Sequence, residues 1–191
     1  MNTLDTQTNY IVSGLERSGT SMMMQILHAA DLPIAFDDSR KADESNPKGY
    51  YELEGGKIIN KLMENTFPIQ QFQGQIIKIT AFGLSYLPPG SYKIIYMERN
   101  IDEVLDSMEK MAKTSDENRE DTKQSFLRLN AKVKQEIQHR EDIDVLYINY
   151  NQTIAQPHEH VQQLCTFLNL PSSCVDQMKS VVDNRLYRQR R

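Results

Sequence analysis

The sequence lacks several features that would place it in a specialised class of protein. No run of apolar residues approaches the ~20 that a membrane-spanning helix needs. The polar segment Met1–Gln7 has no apolar stretch typical of a signal peptide. The two cysteines, Cys165 and Cys174, have neither metal-ligand spacing nor a recognisable catalytic partner, so we interpret them as thiols of a reducing compartment. No other spacing of residues indicates a metal site.

An excess of positive charge is also absent. The formal net charge of the 191-residue chain is -4, so we expect no general affinity for nucleic acid, and any anion site must be a local basic patch. Hydrophobic content of 39% and charged content of 25% are ordinary for a globular protein. The length fits one α/β domain, residues 1–191, and leaves no room for two large domains.

Short β-rich segments alternate with helical patterns along the chain. The clearest predicted strand is Tyr92–Met97, and three more are predicted at Tyr10–Ser13, Gln75–Thr80 and Asp144–Ile148. Apolar residues at helical spacing predict helices over 22–30, 56–65, 101–113, 118–139 and 160–168. This alternation predicts a mostly parallel sheet with helices on both faces. Ligands of such sheets bind at the carboxyl ends of the strands.

A glycine-flanked turn follows the first predicted strand. Gly14 and Gly19 enclose four residues, including Arg17, and a helix begins directly afterwards. Backbone N–H groups that point into such a turn, together with a helix N-terminus, bind anions. A nucleoside-triphosphatase loop would place lysine after the second glycine, whereas this chain has Thr20 there. The turn therefore predicts a phosphate-type site and disfavours triphosphate hydrolysis.

A second candidate anion site follows the Tyr92–Met97 strand. Arg99 lies at the carboxyl end of that strand, and Asn100 can cap a helix that begins at Ile101. Ser107 lies about two turns into this helix. Arg99 and Ser107 can bind one anion if that anion lies along the start of the helix.

The two motifs together resemble those of sulfotransferases that use 3′-phosphoadenosine-5′-phosphosulfate (PAPS). Arg-Ser-Gly-Thr-Ser after a strand is similar to the family's 5′-phosphosulfate loop, and Arg99 with Ser107 matches its 3′-phosphate motif, where Ile101 replaces a proline. The segments Val145–Tyr150 and Phe167–Pro171 resemble the family's late strand and helix end. The resemblance implies a P-loop NTPase-like three-layer α/β fold. It also implies that the following residues bind the donor: Arg17, Ser18, Gly19, Thr20, Ser21, Arg99, Ser107 and Arg188.

The resemblance further implies roles in catalysis. Arg17 and the loop amides would stabilise the charge on the leaving phosphate, assisted by Lys78. Cytosolic relatives have a histidine base shortly after that lysine, and this chain has none there. Other branches use a carboxylate from the region after the first helix. Glu52 is our first candidate for the base and Asp37 the second; the same region also contains Asp38, Glu44 and Glu54.

Several alternatives stay open at the level of sequence. The basic tail is either a frayed terminus or a segment whose Arg185 or Arg188 closes over the 3′-phosphate. The chain could also be a P-loop nucleotide or small-molecule kinase, or a non-catalytic nucleotide-binding module. Family members often follow a membrane anchor, and its absence here leads us to expect a cytoplasmic protein. The acceptor (a carbohydrate, lipid, peptide or small molecule) and the oligomeric state are not readable from the sequence.

Overall fold

Four parallel strands form the centre of the protein. The structure is a computed structural model that describes residues 2–44 and 46–183. The strand order in the sheet is β2-β1-β3-β4, with β1 at Asn9–Gly14, β2 at Ile76–Lys78, β3 at Tyr92–Glu98 and β4 at Ile143–Asn149. The helices are α1 (Thr20–Ala29), α2 (Ile58–Met63), α3 (Ala81–Leu84), α4 (Ile101–Ala112), α5 (Arg119–Gln138), α6 (Tyr150–Ala155), α7 (Pro157–Leu168) and α8 (Val175–Ser180). Three single 3₁₀ turns lie at Glu54–Gly56, Ile69–Phe72 and Ser172–Cys174.

Alternate residues of the strands enter two separate cores. Val12 of β1 and Ile95 of β3 pack with the apolar faces of α1, α7 and α8. Their neighbours Ile11 and Ile94 point the other way and pack with α2, α3 and α5. Successive side chains of a strand face opposite sides of the sheet, so apolar strands with both faces covered give three layers. The predicted three-layer α/β fold with a parallel sheet is confirmed.

The strands and longer helices predicted from the sequence are all present within a few residues of their expected bounds. The long polar helix α5 is buried in its C-terminal half, where Val133 and Ile137 are almost completely inaccessible to solvent. The helices α3, α6 and α8 were not predicted. They have four to six residues, and helices this short depend on packing against neighbouring elements for stability.

The carboxyl ends of β1, β2 and β3 lie at one edge of the sheet, because all three strands are parallel. β1 leads into the glycine turn, β2 ends at Lys78, and β3 is followed by Arg99. The fold thus brings residues from three distant parts of the sequence together at this edge. Within the described ranges, no helix is both long enough and apolar enough to cross a membrane.

Candidate active site

The turn after β1 has the backbone conformation of an anion-binding loop. Gly14 and Gly19 have φ angles of 145° and 105°, and Arg17 between them is left-handed at φ 63°. A Cβ atom on Gly19 would lie 2.3 Å from Cδ2 of Tyr150, and one on Gly14 would lie 2.6 Å from the carbonyl oxygen of Met97. Both positions therefore require glycine for space as well as for conformation.

The serines and threonine of the loop have different surroundings. Thr20 and Ser21 form the start of α1 and line a cavity at the edge of the sheet. The first amides of a helix have no acceptor within the helix, so those of α1 are available to an anion. Ser18 is buried beneath the loop, and its hydroxyl group has no hydrogen-bond partner among the described residues. Ser18 is not part of the cavity lining.

Helix α4 begins as the sequence predicted. The side-chain oxygen of Asn100 accepts hydrogen bonds from the backbone N–H groups of Asp102 at 2.9 Å and Glu103 at 3.3 Å. This cap fixes the direction of α4 relative to β3. Ser107, two turns later, is buried on the side of the helix that borders the cavity.

Arg99 is held by a buried acidic residue that the sequence did not single out. Its Nε donates to Oε2 of Glu103 at 3.0 Å, and the exposed fractions of the two side chains are 7% and 1%. The other carboxylate oxygen of Glu103 accepts from Nδ2 of Asn151 at 2.9 Å. The guanidinium of Arg99 also stacks on the ring of Tyr150, 4.4 Å from the centroid. Glu103 and Tyr150 thereby orient Arg99 from two sides.

The two motifs predicted to bind phosphate are in direct contact. Nε of Arg17 donates to Oγ of Ser107 at 2.9 Å, and Nη1 of Arg99 donates to the carbonyl oxygen of Arg17 at 3.0 Å. The second contact supports the left-handed backbone of Arg17. All three residues line the same cavity. The sequence placed Arg17 and Arg99 after two different strands and Ser107 in the following helix, and the structure brings all three to one cavity.

Lys78 and Glu52 form a buried ion pair beside the loop. Nζ of Lys78 lies 2.8 Å from Oε1 of Glu52 and donates to Oγ of Ser21 at 3.3 Å. Burial lowers the pKa of Lys78, and the charge of Glu52 opposes that effect. The second carboxylate oxygen of Glu52 accepts from Nη1 of Arg40 at 3.1 Å. Glu52 is thus in contact with the cavity through a cluster that also contacts the phosphate loop.

The structure does not bring Asp37, the second candidate base, to this site. Its carboxylate accepts hydrogen bonds from the backbone N–H groups of Ser39 at 2.8 Å and Glu54 at 2.7 Å. These bonds lower its pKa. Asp37 is exposed and is not among the residues that line the cavity. Its backbone N–H donates to the carbonyl oxygen of Glu52 at 3.0 Å, so Asp37 organises the loop that contains Glu52 while its carboxylate is bound to backbone outside the cavity.

The cavity has a volume of about 490 Å³, within the range of small-molecule sites. Its lining includes four residues that the sequence did not indicate: Gln25, Arg40, Lys110 and Tyr150. Two of them could have been found from helical spacing. Gln25 follows Ser21 by four residues and Lys110 follows Ser107 by three, and residues at these spacings share a helix face. Arg40 and Tyr150 carry no such signal. The candidates Arg185 and Arg188 lie outside the described residues.

Comparisons with known proteins agree with this geometry. A family model described as the sulfotransferase domain matches residues 7–191. No curated protein sequence matches the chain. A mouse sulfotransferase complexed with PAP has a similar fold, with a TM-score of 0.56 and 15% identity over 98% of this chain and 68% of that one. The sulfotransferase domain of an olefin synthase from Synechococcus PCC 7002 has a TM-score of 0.56 and 14% identity over 98% of this chain and 84% of that one. A retinol dehydratase in complex with retinol and PAP has a TM-score of 0.54 and 16% identity over 94% of this chain and 64% of that one.

At 14–16% identity these structures show a shared fold. The chain spans less than two thirds of the retinol dehydratase. The family match is independent of that likeness and confirms the resemblance inferred from the two phosphate motifs. Because the match extends over residues 7–191, this chain belongs to the sulfotransferase domain family.

Proposed function

We propose that this protein transfers a sulfuryl group from PAPS to a hydroxyl or amine of an acceptor, and that the cavity at the edge of the sheet binds both molecules. The observation that supports this most is the contact between the two phosphate motifs. Nε of Arg17 lies 2.9 Å from Oγ of Ser107, although the two residues are 90 positions apart in the sequence. An isolated glycine turn or an isolated arginine at a strand end would not explain that arrangement.

The two phosphates of the donor require different binding groups. The start of α1 and the backbone of the loop suit the 5′-phosphosulfate, because their N–H groups point to one place and the helix dipole favours an anion. Arg99 and Ser107, which line the same cavity, suit the 3′-phosphate. Lys110 lines the cavity one turn after Ser107 and has no ion-pair or hydrogen-bond partner among the described residues. We expect Lys110 to add positive charge to that of Arg99 there, because Glu103 offsets part of the charge of Arg99.

In the transfer step, an acceptor oxygen forms a bond to sulfur while the bond from sulfur to the 5′-phosphate oxygen breaks. The electron pair of that bond stays on the phosphate oxygen, and the acceptor proton must leave. We assign the stabilisation of the leaving oxygen to Arg17 and Lys78, because both cations line the cavity. Glu52 is our candidate for the base, since its carboxylate borders the cavity and Arg40 and Lys78 orient both of its oxygens.

Nucleotide binding tests the donor assignment. We expect 3′-phosphoadenosine-5′-phosphate (PAP) to bind more tightly than ATP in calorimetry. The variant Arg99→Ala should lose on the order of 1.5–3 kcal/mol of PAP binding, as for a hydrogen bond to a charged group. Arg119→Ala is a matched control, because Arg119 pairs with acids of α4 away from the cavity. Equal affinity for PAP and ATP would contradict the proposal and favour a kinase.

Substitution of the carboxylates tests the base. Release of PAP from PAPS is measured with an acceptor that gives turnover. Glu52→Gln should lower kcat by about 10²-fold or more, because a positioned base contributes that much to a proton transfer. Asp37→Asn is the control and should stay within about twofold of wild type. A large loss in Asp37→Asn with an active Glu52→Gln would exchange the two roles.

A further inference from the structure

Three cations lie close enough to affect one another in the part of the cavity around Lys78. Burial has the largest effect on the pKa of Lys78 and lowers it; among the charged neighbours, Glu52 raises this pKa, whereas Arg40 and Arg17 lower it. All four residues line the cavity. The groups that affect Lys78 most are thus two further cations and one carboxylate. Like charges at short range repel one another, so a bound anion would be favourable there.

Arg40 is the cation of this group that belongs to neither phosphate motif, and a buried ring fixes its position. Its guanidinium carbon lies 3.5 Å from the ring centroid of Tyr50, a residue that is 4% exposed. The hydroxyl group of Tyr50 donates to the carboxylate of Asp43, 2.9 Å and 2.8 Å from its two oxygens. A guanidinium stacked on an anchored ring has a defined plane. Arg40 is therefore pre-organised although its side chain is 37% exposed.

The contacts of Glu52 relate Arg40 to the path of the transferred group. In the proposed transfer the sulfur lies between the 5′-phosphate oxygen, held by the loop, and the acceptor oxygen, whose proton goes to Glu52. Lys78 connects these two ends, because its Nζ contacts Oγ of Ser21 at 3.3 Å and Oε1 of Glu52 at 2.8 Å. Arg40 donates to the other oxygen of Glu52 from Nη1 at 3.1 Å. Arg40 thus lies at the end of the path where the acceptor meets the sulfur.

We propose that Arg40 binds the sulfonate group of PAPS and thereby lets the site distinguish the sulfated donor from PAP. A guanidinium has five N–H donors, so the contact of Nη1 with Glu52 does not exhaust them. Its fork of N–H groups matches two oxygens of an oxyanion, which makes arginine suited to such a group. This inference rests on the proposed sulfuryl transfer, because it concerns the group that is transferred and takes Glu52 as the base.

The test compares the binding of PAPS and PAP in calorimetry at pH 8, without an acceptor. The 5′-phosphate of PAP carries about two negative charges at this pH, and the phosphosulfate of PAPS carries one on its phosphate and one on its sulfonate. General electrostatic attraction is therefore alike for the two ligands, and a change in their relative affinity reports contact with the sulfonate. Arg40→Met should weaken PAPS binding by about 10-fold or more, the effect of losing a hydrogen bond between charged groups. PAP binding should stay within about twofold.

Lys110→Met is the matched control, because it removes a lining cation that we expect at the 3′-phosphate, which both ligands contain. It should weaken PAPS and PAP by the same factor. Arg40→Lys is a second variant that keeps the charge but loses the flat fork, and it should also weaken PAPS more than PAP.

Two results with Arg40→Met would overturn the inference. An equal loss of PAPS and PAP binding would mean that Arg40 binds a phosphate, and unchanged binding of both would mean that Arg40 only orients Glu52. Failure of the wild-type protein to bind either nucleotide is a different result, which overturns the proposed sulfuryl transfer itself.

Discussion

The buried ion pair between Arg99 and Glu103 offers a sharp test of how the site is built. Glu103 is 0% exposed as a residue, and its carboxylate connects Arg99 to Asn151. We infer that Glu103 is a positioning residue that orients Arg99 toward the phosphate loop. Glu103→Gln removes its charge with little change of shape, Arg99→Met removes the guanidinium, and the double variant removes both charges.

The expected magnitudes follow from the burial of the pair. Removing one partner of a buried ion pair leaves an uncompensated charge, with a cost of about 3–5 kcal/mol. We expect the lower end, about 3 kcal/mol for each single variant, because Arg99 borders the cavity and retains 7% exposure of its side chain. The double variant leaves neither charge and should cost about as much as one single variant. The coupling energy is then about 3 kcal/mol.

Urea unfolding without nucleotide measures these free energies. The pair Arg119 and Asp106 provides the control cycle, because its atoms are 2.6 Å apart but its side chains are 28% and 21% exposed. Its coupling energy should be below about 1 kcal/mol. Additivity of the Arg99 and Glu103 variants within about 0.5 kcal/mol would refute the positioning role of Glu103.

Two further predictions concern the loop and the sheet. Gly19→Ala should prevent tight PAP binding in calorimetry and lower the Tm, because its Cβ would lie 2.3 Å from the ring of Tyr150; unchanged binding would mean that the loop adapts. Hydrogen bonds from Arg140 lower the pKa of Asp142 to about 2, so its stabilisation is present above the usual value of 3.8 and is lost as the pH falls through about 2. Asp142→Asn should therefore reduce the free energy of unfolding by about 1–2 kcal/mol at pH 7. This is less than the full pKa shift would give, because the side chain of Asp142 is 32% exposed and solvent screens its interaction with Arg140. The difference from wild type should shrink in urea titrations toward pH 2, and a difference that is independent of pH would contradict it.

Local signals in the sequence were enough to determine the fold class and the two phosphate motifs. The apolar runs of β1, β3 and β4 gave the strands, because a parallel strand with both faces covered must be apolar. The glycine turn and the cap at Asn100 were readable because each depends on a few neighbouring residues. Thr20 was readable for the same reason, because it follows Gly19 where a nucleoside-triphosphatase loop has lysine.

Tertiary structure alone decided which of these residues meet. The contact between Arg17 and Ser107 depends on the order of the strands in the sheet, which no local pattern encodes. Our preference for Glu52 over Asp37 as the proposed base rests on the path of an irregular loop, which binds the carboxylate of Asp37 to its own backbone and brings Glu52 beside Lys78. Glu103 has an ordinary helical position in the sequence. Its importance comes from burial, since a charge removed from water requires a partner, and only the folded chain shows that its partners are Arg99 and Asn151.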